Sequence, residues 1–343
     1  MSAGDSDALA GREMLRVRNG RGDATTIEDA VIVYVWGSRG ILRATQDGLD
    51  ELRAVSAEAV ALHDGTARLL AELEPAAKVV RDGLPDARLW VGLGIDGTID
   101  AYRAGKLSAQ QVIARYTLVA ALCQRLGVEV LVLNGEGKWA LEPGDVRTRD
   151  DMRALADQLG RAMRVAAPDV VLALSSFGRL GYHARVRPLI EGLTPHCSIF
   201  TGQSYAARAG DVKPGVLPAV IAADERSQDA TERQGWHRDD TSEGGEDDSH
   251  DDLDRIPTVQ AHKTAPLDLA RVLVARPFVL VWSVPTIAEG GRADAQGLEA
   301  MRVAAAIRRY APPRVENFQR AHGLKADGVL GPITYARALA ASP

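Results

Sequence analysis

Arg88-Leu89-Trp90-Val91-Gly92-Leu93-Gly94-Ile95-Asp96 alternates its residue types with a period of two. Leu89, Val91, Leu93 and Ile95 fall in one phase, and Trp90, Gly92, Gly94 and Asp96 in the other. Successive side chains of a strand point to opposite faces. The stretch therefore reads as a strand with an aliphatic face packed on helices and a glycine-rich face that ends in a carboxylate. Val128-Glu129-Val130-Leu131-Val132-Leu133-Asn134 repeats the pattern, with Val130, Val132, Asn134 and Glu136 in one phase and Leu131 and Leu133 in the other. Ser108 to Leu126, between the two, reads as a helix. A strand, a helix and a second strand of this kind make a parallel pair with a helical crossover.

The same alternation extends in both directions. Ala30 to Trp36 is a strand, and a long helical region is expected from Asp47 to Arg81, with Pro75 as a break point. Arg149 to Ala166 is a helix that leads into the strand Asp169 to Ser175. His183 to Gly192 is helical and precedes Ser198 to Gly202. Gly215 to Ala222 and Pro257 to His262 are weaker strands. Pro266 to Ala275 is a helix, and Phe278 to Val284 closes the series. Eight strand units fit an α/β fold of the (β/α)8 TIM type, with a doubly wound open sheet as the alternative. The domain expectation is a flexible leader over 1–28, a barrel over 29–290 and a small helical module over 291–343. Ala223 to Arg255, with its run Gly244-Gly245-Glu246-Asp247-Asp248-Ser249-His250-Asp251-Asp252, has the composition of a disordered acidic insertion.

Composition narrows the function classes. The formal net charge of the 343 residues is −5, which gives no general attraction to nucleic acid. No run reaches the ~20 apolar residues of a membrane span. Met1 to Thr26 lacks the apolar core of a signal peptide, so the expected location is the cytoplasm until lysis or a dedicated machine releases the protein. Cys123 and Cys197 lie in apolar surroundings and read as buried free thiols. Gly92-Leu93-Gly94-Ile95-Asp96-Gly97 fits G-x-G-x-x-G, but a dinucleotide fold also needs an acidic residue about 20 positions on. Ile113 to Thr117 supplies none. Zinc-ligand spacing and a nucleophile-elbow pattern are also missing, and no cofactor is called for.

In a parallel barrel the chemistry sits at the C-terminal ends of the strands. Asp96 and Glu136 would project there from neighbouring strands. Adjacent strands lie about 4.8 Å apart, which suits the ~5–5.5 Å between the carboxyl groups of a retaining glycosidase. One carboxyl would stay protonated and the other ionised. Strand-end carboxylates also cap helices or pair with cations, and Lys138 and Arg179 are available for that. Sugar-binding residue types surround the pair. Tyr34 and Trp36 end the first strand, Asn134 and Trp139 flank Glu136, Gln203 and Tyr205 follow the fifth strand, and Trp282 lies near the end of the eighth. Aromatic faces with polar edges suit a sugar ring.

Near the C-terminus the chain reads Val315-Glu316-Asn317-Phe318-Gln319-Arg320-Ala321-His322-Gly323-Leu324-Lys325-Ala326-Asp327-Gly328-Val329-Leu330-Gly331-Pro332-Ile333-Thr334. This is a short helix, a Gly323 C-cap, an Asp327-Gly328 turn and a second helix opened by Pro332. Phe318-Gln319, Gly323-Leu324, Asp327-Gly328-Val329, Gly331-Pro332 and Thr334 resemble, in order and spacing, the second half of the peptidoglycan-binding domain of many cell-wall hydrolases. The resemblance implies peptidoglycan as partner and Phe318, Gln319, Asp327, Gly328, Gly331 and Thr334 as the binding motif. The family's first helical half has its own Gly-rich turn, whereas Gly297 to Tyr310 here is an Ala- and Arg-rich helix. The barrel is similar, in architecture alone, to the glycosidase barrels that include muramidases of lysins, without their paired Asp-x-Glu on one strand. Two functions follow as expectations: a peptidoglycan-directed glycoside hydrolase, or a non-catalytic wall-binding component of a phage particle or secretion machine.

Overall fold

The computed structural model describes residues 14–28, 30–36, 49, 59–94, 97–134, 141, 143–177, 187–204, 255–260, 266–275, 278–283 and 295–342. Its strands, in chain order, are β1 (Met14–Arg18), β2 (Ala24–Glu28), β3 (Ala30–Trp36), β4 (Ala59–Asp64), β5 (Arg88–Leu93), β6 (Val130–Asn134), β7 (Val171–Phe177), β8 (Ile199–Ser204), β9 (Arg255–Gln260) and β10 (Phe278–Ser283). β3 to β10 form a closed barrel in sequence order, with every neighbouring pair parallel and β10 paired to β3. The TIM-type expectation therefore holds for the barrel, and the open-sheet alternative falls.

The alternation read from the sequence decides what is buried where. Trp90, Val130, Val132 and Ala173 belong to an apolar cluster inside the barrel. Leu89, Val91, Leu93, Leu131 and Leu133 belong to the larger cluster between strands and helices. The surrounding helices are α1 (Thr66–Gly83), α2 (Gly97–Arg103), α3 (Ala109–Arg125), α4 (Arg149–Ala166), α5 (Arg187–Leu193), α6 (Pro266–Ala275) and α7 (Ala295–Arg308). Two of them start on reciprocal capping boxes, Ser108 with Gln111 for α3 and Thr148 with Asp151 for α4. The Thr148 backbone N–H and hydroxyl hold the Asp151 carboxyl below the usual carboxylate range.

Three expectations are corrected. The helix expected from Asp47 to Arg81 gives way to strand β4 at Ala59–Asp64, and α1 then runs unbroken through Pro75. Ala59-Val60-Ala61-Leu62 is short and alanine-rich, and alanine favours helix locally. Burial on both faces, between β3 and β5, overrides that preference. In α1, Leu69, Leu73, Ala76, Ala77 and Val80 are buried on both sides of Pro75, so packing carries the helix past it. The barrel count of eight thus includes β4, while β8 pairs directly with β9. Gly215 to Ala222 lies outside the described residues, as does the acidic insertion up to Asp254.

The second correction concerns the leader. Residues 14–28 form an antiparallel hairpin, β1 with β2, docked on the N-terminal end of the barrel. Val17 and Ile27 join the barrel's interior cluster. Gly20 N–H donates to the Val170 carbonyl at 3.1 Å, and Arg21 N–H to Pro168 at 3.0 Å. Arg164 Nε donates to the Gly20 carbonyl at 2.9 Å. A Cβ at Gly20 would lie 2.5 Å from the Ala167 carbonyl oxygen and 2.8 Å from that of Arg164. Gly20→Ala is thus expected to cost about 1–3 kcal/mol through overpacking, measured as a lower urea midpoint. An unchanged midpoint would mean that the hairpin does not close the barrel floor.

The third correction moves a boundary. α7 follows β10 and packs along α6, in the outer ring of the barrel. The remaining helices, α8 (Arg314–Ala321) and α9 (Pro332–Ala341), dock on it. Arg271 Nε of α6 donates to the Leu330 carbonyl at 2.9 Å. Phe318, Leu330 and Ala338 share one apolar cluster with α6 and α7. The C-terminal hairpin is continuous with the barrel's core.

Candidate functional site

The strand C-terminal ends form the barrel mouth. β6 ends at Asn134 and β7 passes Ser175 beside it; both side chains are buried. Ser175 is in register with Thr201 of β8. Gly94 N–H donates to the Asp64 carbonyl at 2.8 Å, so the β4–β5 ladder reaches the same level. Asp64 is in phase with the outward residues Val60 and Leu62. Its Oδ1 accepts from Gly65 N–H at 2.8 Å, at the start of α1, and Arg68 stands 3.7 Å away. This carboxylate belongs to a helix start.

The sequence-expected residues divide by where the structure places them. Tyr34 is in register with Trp282 and with Ala61, an interior residue. Trp36 is in register with His63, and His63 with Gly92. Gln203 stands in register with Phe177 and Thr258. Tyr34, Trp36, Asn134 and Trp282 hold positions on barrel strands, and Gln203, expected just after a strand, lies within β8. Asp96, Glu136, Trp139 and Tyr205 lie outside the described residues. His63, expected within a helix, lies on β4 beside Trp36 and Gly92; the alternation of Ala59, Ala61 and His63 is the signal for that strand.

The opposite end of the barrel is a floor. Trp90, fully buried, donates its indole N–H to Glu129 Oε2 at 2.8 Å, and Arg88 Nη1 stands 3.4 Å from Glu129 Oε1. Glu129 thus immediately precedes β6, at the floor end of the strand. Among the described residues no group of three or more His, Cys, Asp or Glu is placed to hold a metal ion. Cys123 and Cys197 are buried free thiols, and burial pushes the Cys197 thiol up to about 12. No described helix is long and apolar enough to cross a membrane.

The C-terminal motif forms a second polar constellation. Gln319 is 2% exposed. Its amide donates to Asp327 Oδ1 at 2.9 Å, to the Val329 carbonyl at 3.1 Å and to Thr334 Oγ1 at 3.1 Å. Its Oε1 accepts from Gly328 N–H at 2.9 Å. Val329 N–H donates to Asp327 Oδ1 at 3.0 Å; this bond, then Gln319, holds the Asp327 carboxyl below its usual range. Gly328 has a φ of +71°, where a side chain would be strained. Gly331 precedes Pro332 at the start of α9. Phe318 is fully buried against Tyr310 and His322. Phe318, Gln319 and Thr334, expected as ligand contacts, are buried and hold the hairpin together. Outward from the same turn stand Val329, 49% exposed, and Ile333, 76% exposed.

No family model and no curated protein matches this chain. Among solved structures the chain is similar to an endo-1,4-beta-mannanase from Eisenia fetida, at 12% identity over 84% of this chain and 95% of that one, with a TM-score of 0.50. An exo-beta-1,4-mannosidase from Opitutaceae bacterium strain TAV5 is similar at 11% identity, over 84% of this chain and 61% of that one, also at 0.50. At such identity the likeness shows the fold alone. The protein is a (β/α)8 barrel with a floor hairpin and a docked C-terminal helical hairpin.

Proposed function

We propose that the protein is a glycoside hydrolase directed at cell-wall peptidoglycan, with Glu136 as general acid and Asp96 as nucleophile or base. One observation carries this reading. β5 and β6 are neighbours, with Trp90 opposite Val130 and Gly92 opposite Val132, and Asp96 follows Gly92 at the same sequence offset as Glu136 follows Val132. A carboxyl pair about 5–5.5 Å apart can protonate a leaving glycosidic oxygen and attack from the other side, and a wider pair can activate water there. Tyr34, Trp36 and Trp282 on neighbouring strands supply ring types suited to a sugar. The Phe318 to Thr334 resemblance supports the wall as substrate.

The test is reducing-sugar release from purified peptidoglycan by the full-length protein, with β-1,4-mannan in parallel. Release from mannan alone would overturn the wall assignment. Binding to peptidoglycan with no release from any wall type would favour the non-catalytic component, a reading supported by the missing Asp-x-Glu. Docking has its own variant. Phe318, Gln319 and Thr334 cannot be reached without unfolding the hairpin, so contact falls to the exposed Asp327, Gly328, Val329 and Ile333. Ile333→Asp is expected to reduce co-sedimentation with peptidoglycan severalfold, with stability unchanged to within about 0.5 kcal/mol. Undiminished sedimentation would remove this face from the docking surface.

A further inference from the structure

We infer that Arg103, Asp145 and Arg147 are positioning residues of the barrel mouth, fastening the segment that follows β6 to the helix that follows β5. The inference rests on the glycosidase reading above. α2 begins at Gly97, immediately after Asp96, and ends at Arg103. The segment leaving β6 at Asn134 passes Glu136 and reaches α4 through residues 143–148. These two connections, each carrying one of the proposed catalytic carboxylates, are cross-linked at their far ends.

Four side chains, those of Tyr102, Arg103, Asp145 and Arg147, build the cross-link. Arg103 Nε donates to Asp145 Oδ2 at 2.8 Å, with Arg103 Nη2 3.5 Å from Oδ1. The two side chains are only 10% and 13% exposed. Val146 N–H donates to the Arg103 carbonyl at 3.1 Å. Arg147 Nε donates to the Tyr102 carbonyl at 3.1 Å and its Nη2 to Leu107 at 3.3 Å. The same guanidinium lies 4.5 Å from the Tyr102 ring centroid. Tyr102 in turn donates its hydroxyl to the Asp151 carbonyl at 3.4 Å, in the first turn of α4.

Stability alone is a weak reason for such a pair. A desolvated ion pair often contributes little net stability, yet it demands one geometry, because removing either partner strands the other charge. Residues 103 and 145 belong to successive strand–helix units, so the pair fixes one connection against the next. Two carboxyl groups that must act on a single glycosidic bond need their separation held to a fraction of an ångström, and misplacement by about 1 Å costs on the order of 100-fold in rate. Arg103, Asp145 and Arg147 are suited to that task from outside the reacting centre.

The test uses the full-length protein with Arg103→Gln, Asp145→Asn and the double variant, assayed on peptidoglycan at a temperature where near-ultraviolet circular dichroism shows all of them folded. Each single variant is expected to lower kcat roughly 10- to 100-fold, with KM within about twofold. The double variant should be no worse than the poorer single one, because coupled losses do not add. Amide exchange should quicken together over 97–103 and 143–148. Additive kcat losses, or exchange that quickens in one segment and not the other, would overturn the inference. If Asp145→Asn does not fold, Arg147→Lys carries the same measurements, since it keeps the charge and loses the fork. If the wild type releases no sugar, the glycosidase reading fails by itself, and the paired exchange response alone decides whether the two connections are coupled.

Discussion

Glu136→Gln is expected to lower reducing-sugar release from peptidoglycan by roughly 10²–10⁴-fold, the usual contribution of a positioned general acid, with no change in thermal midpoint. Glutamine keeps the shape of glutamate and lacks the proton that the leaving oxygen must receive. The pH profile separates the two carboxyl groups. A general acid works only while protonated, so activity is lost as pH rises through its pKa. A nucleophile or base works only while ionised, so activity is lost as pH falls through its own. Glu136→Gln should therefore erase the alkaline limb of kcat/KM, and Asp96→Asn the acid limb. Glu129 is the internal control. It precedes β6 at the barrel floor, bonded to the Trp90 indole, so Glu129→Gln should leave both limbs in place. A fully active Glu136→Gln protein with intact limbs would place the acid elsewhere in the mouth.

How far the sequence carried depends on the range of the interactions. β5 and β6 were legible because glycine and aliphatic residues alternate there, and the interior and exterior clusters fall in the two phases read from the chain. β4 was hidden because Ala59 to Leu62 favours helix locally, and its strand state comes from β3 and β5 on either side. The floor hairpin was read as leader because its inward apolar residues are few, Val17 and Ile27 among them. What fixes it is bonding to residues 164–170, far along the chain. The Arg103–Asp145 pair spans separate strand–helix units in the same way and leaves no periodic trace. Asp96 and Glu136 are proposed on phase alone. In the C-terminal hairpin the order and spacing of the motif were legible, but its role was not. A buried glutamine that bonds to a turn and a glutamine that grips a ligand look the same in sequence.

Phe318→Ala should separate those roles, with a stability loss of about 3–5 kcal/mol. The Phe318 ring meets Tyr310 edge-on at 5.6 Å and lies 4.2 Å from the His322 ring, with no exposed surface. Because Phe318 shares its cluster with α6 and α7, thermal unfolding should shift as one transition to a lower midpoint. A separate early transition would mean that the hairpin folds independently of the barrel. Gln319→Ala removes the partner of Gly328 N–H and the amide that serves Asp327, Val329 and Thr334. Stranding buried groups costs about 1–3 kcal/mol, so this variant too should lose stability, and wall docking with it. Ile333→Asp sets the contrast, losing docking while stability holds. The decisive comparison is Gln319→Ala at a temperature where it remains folded. Docking equal to wild type there identifies the motif as the hairpin's internal frame, with its exposed apolar residues as the contact surface. Docking lost without any change in stability would instead make Gln319 a direct ligand contact.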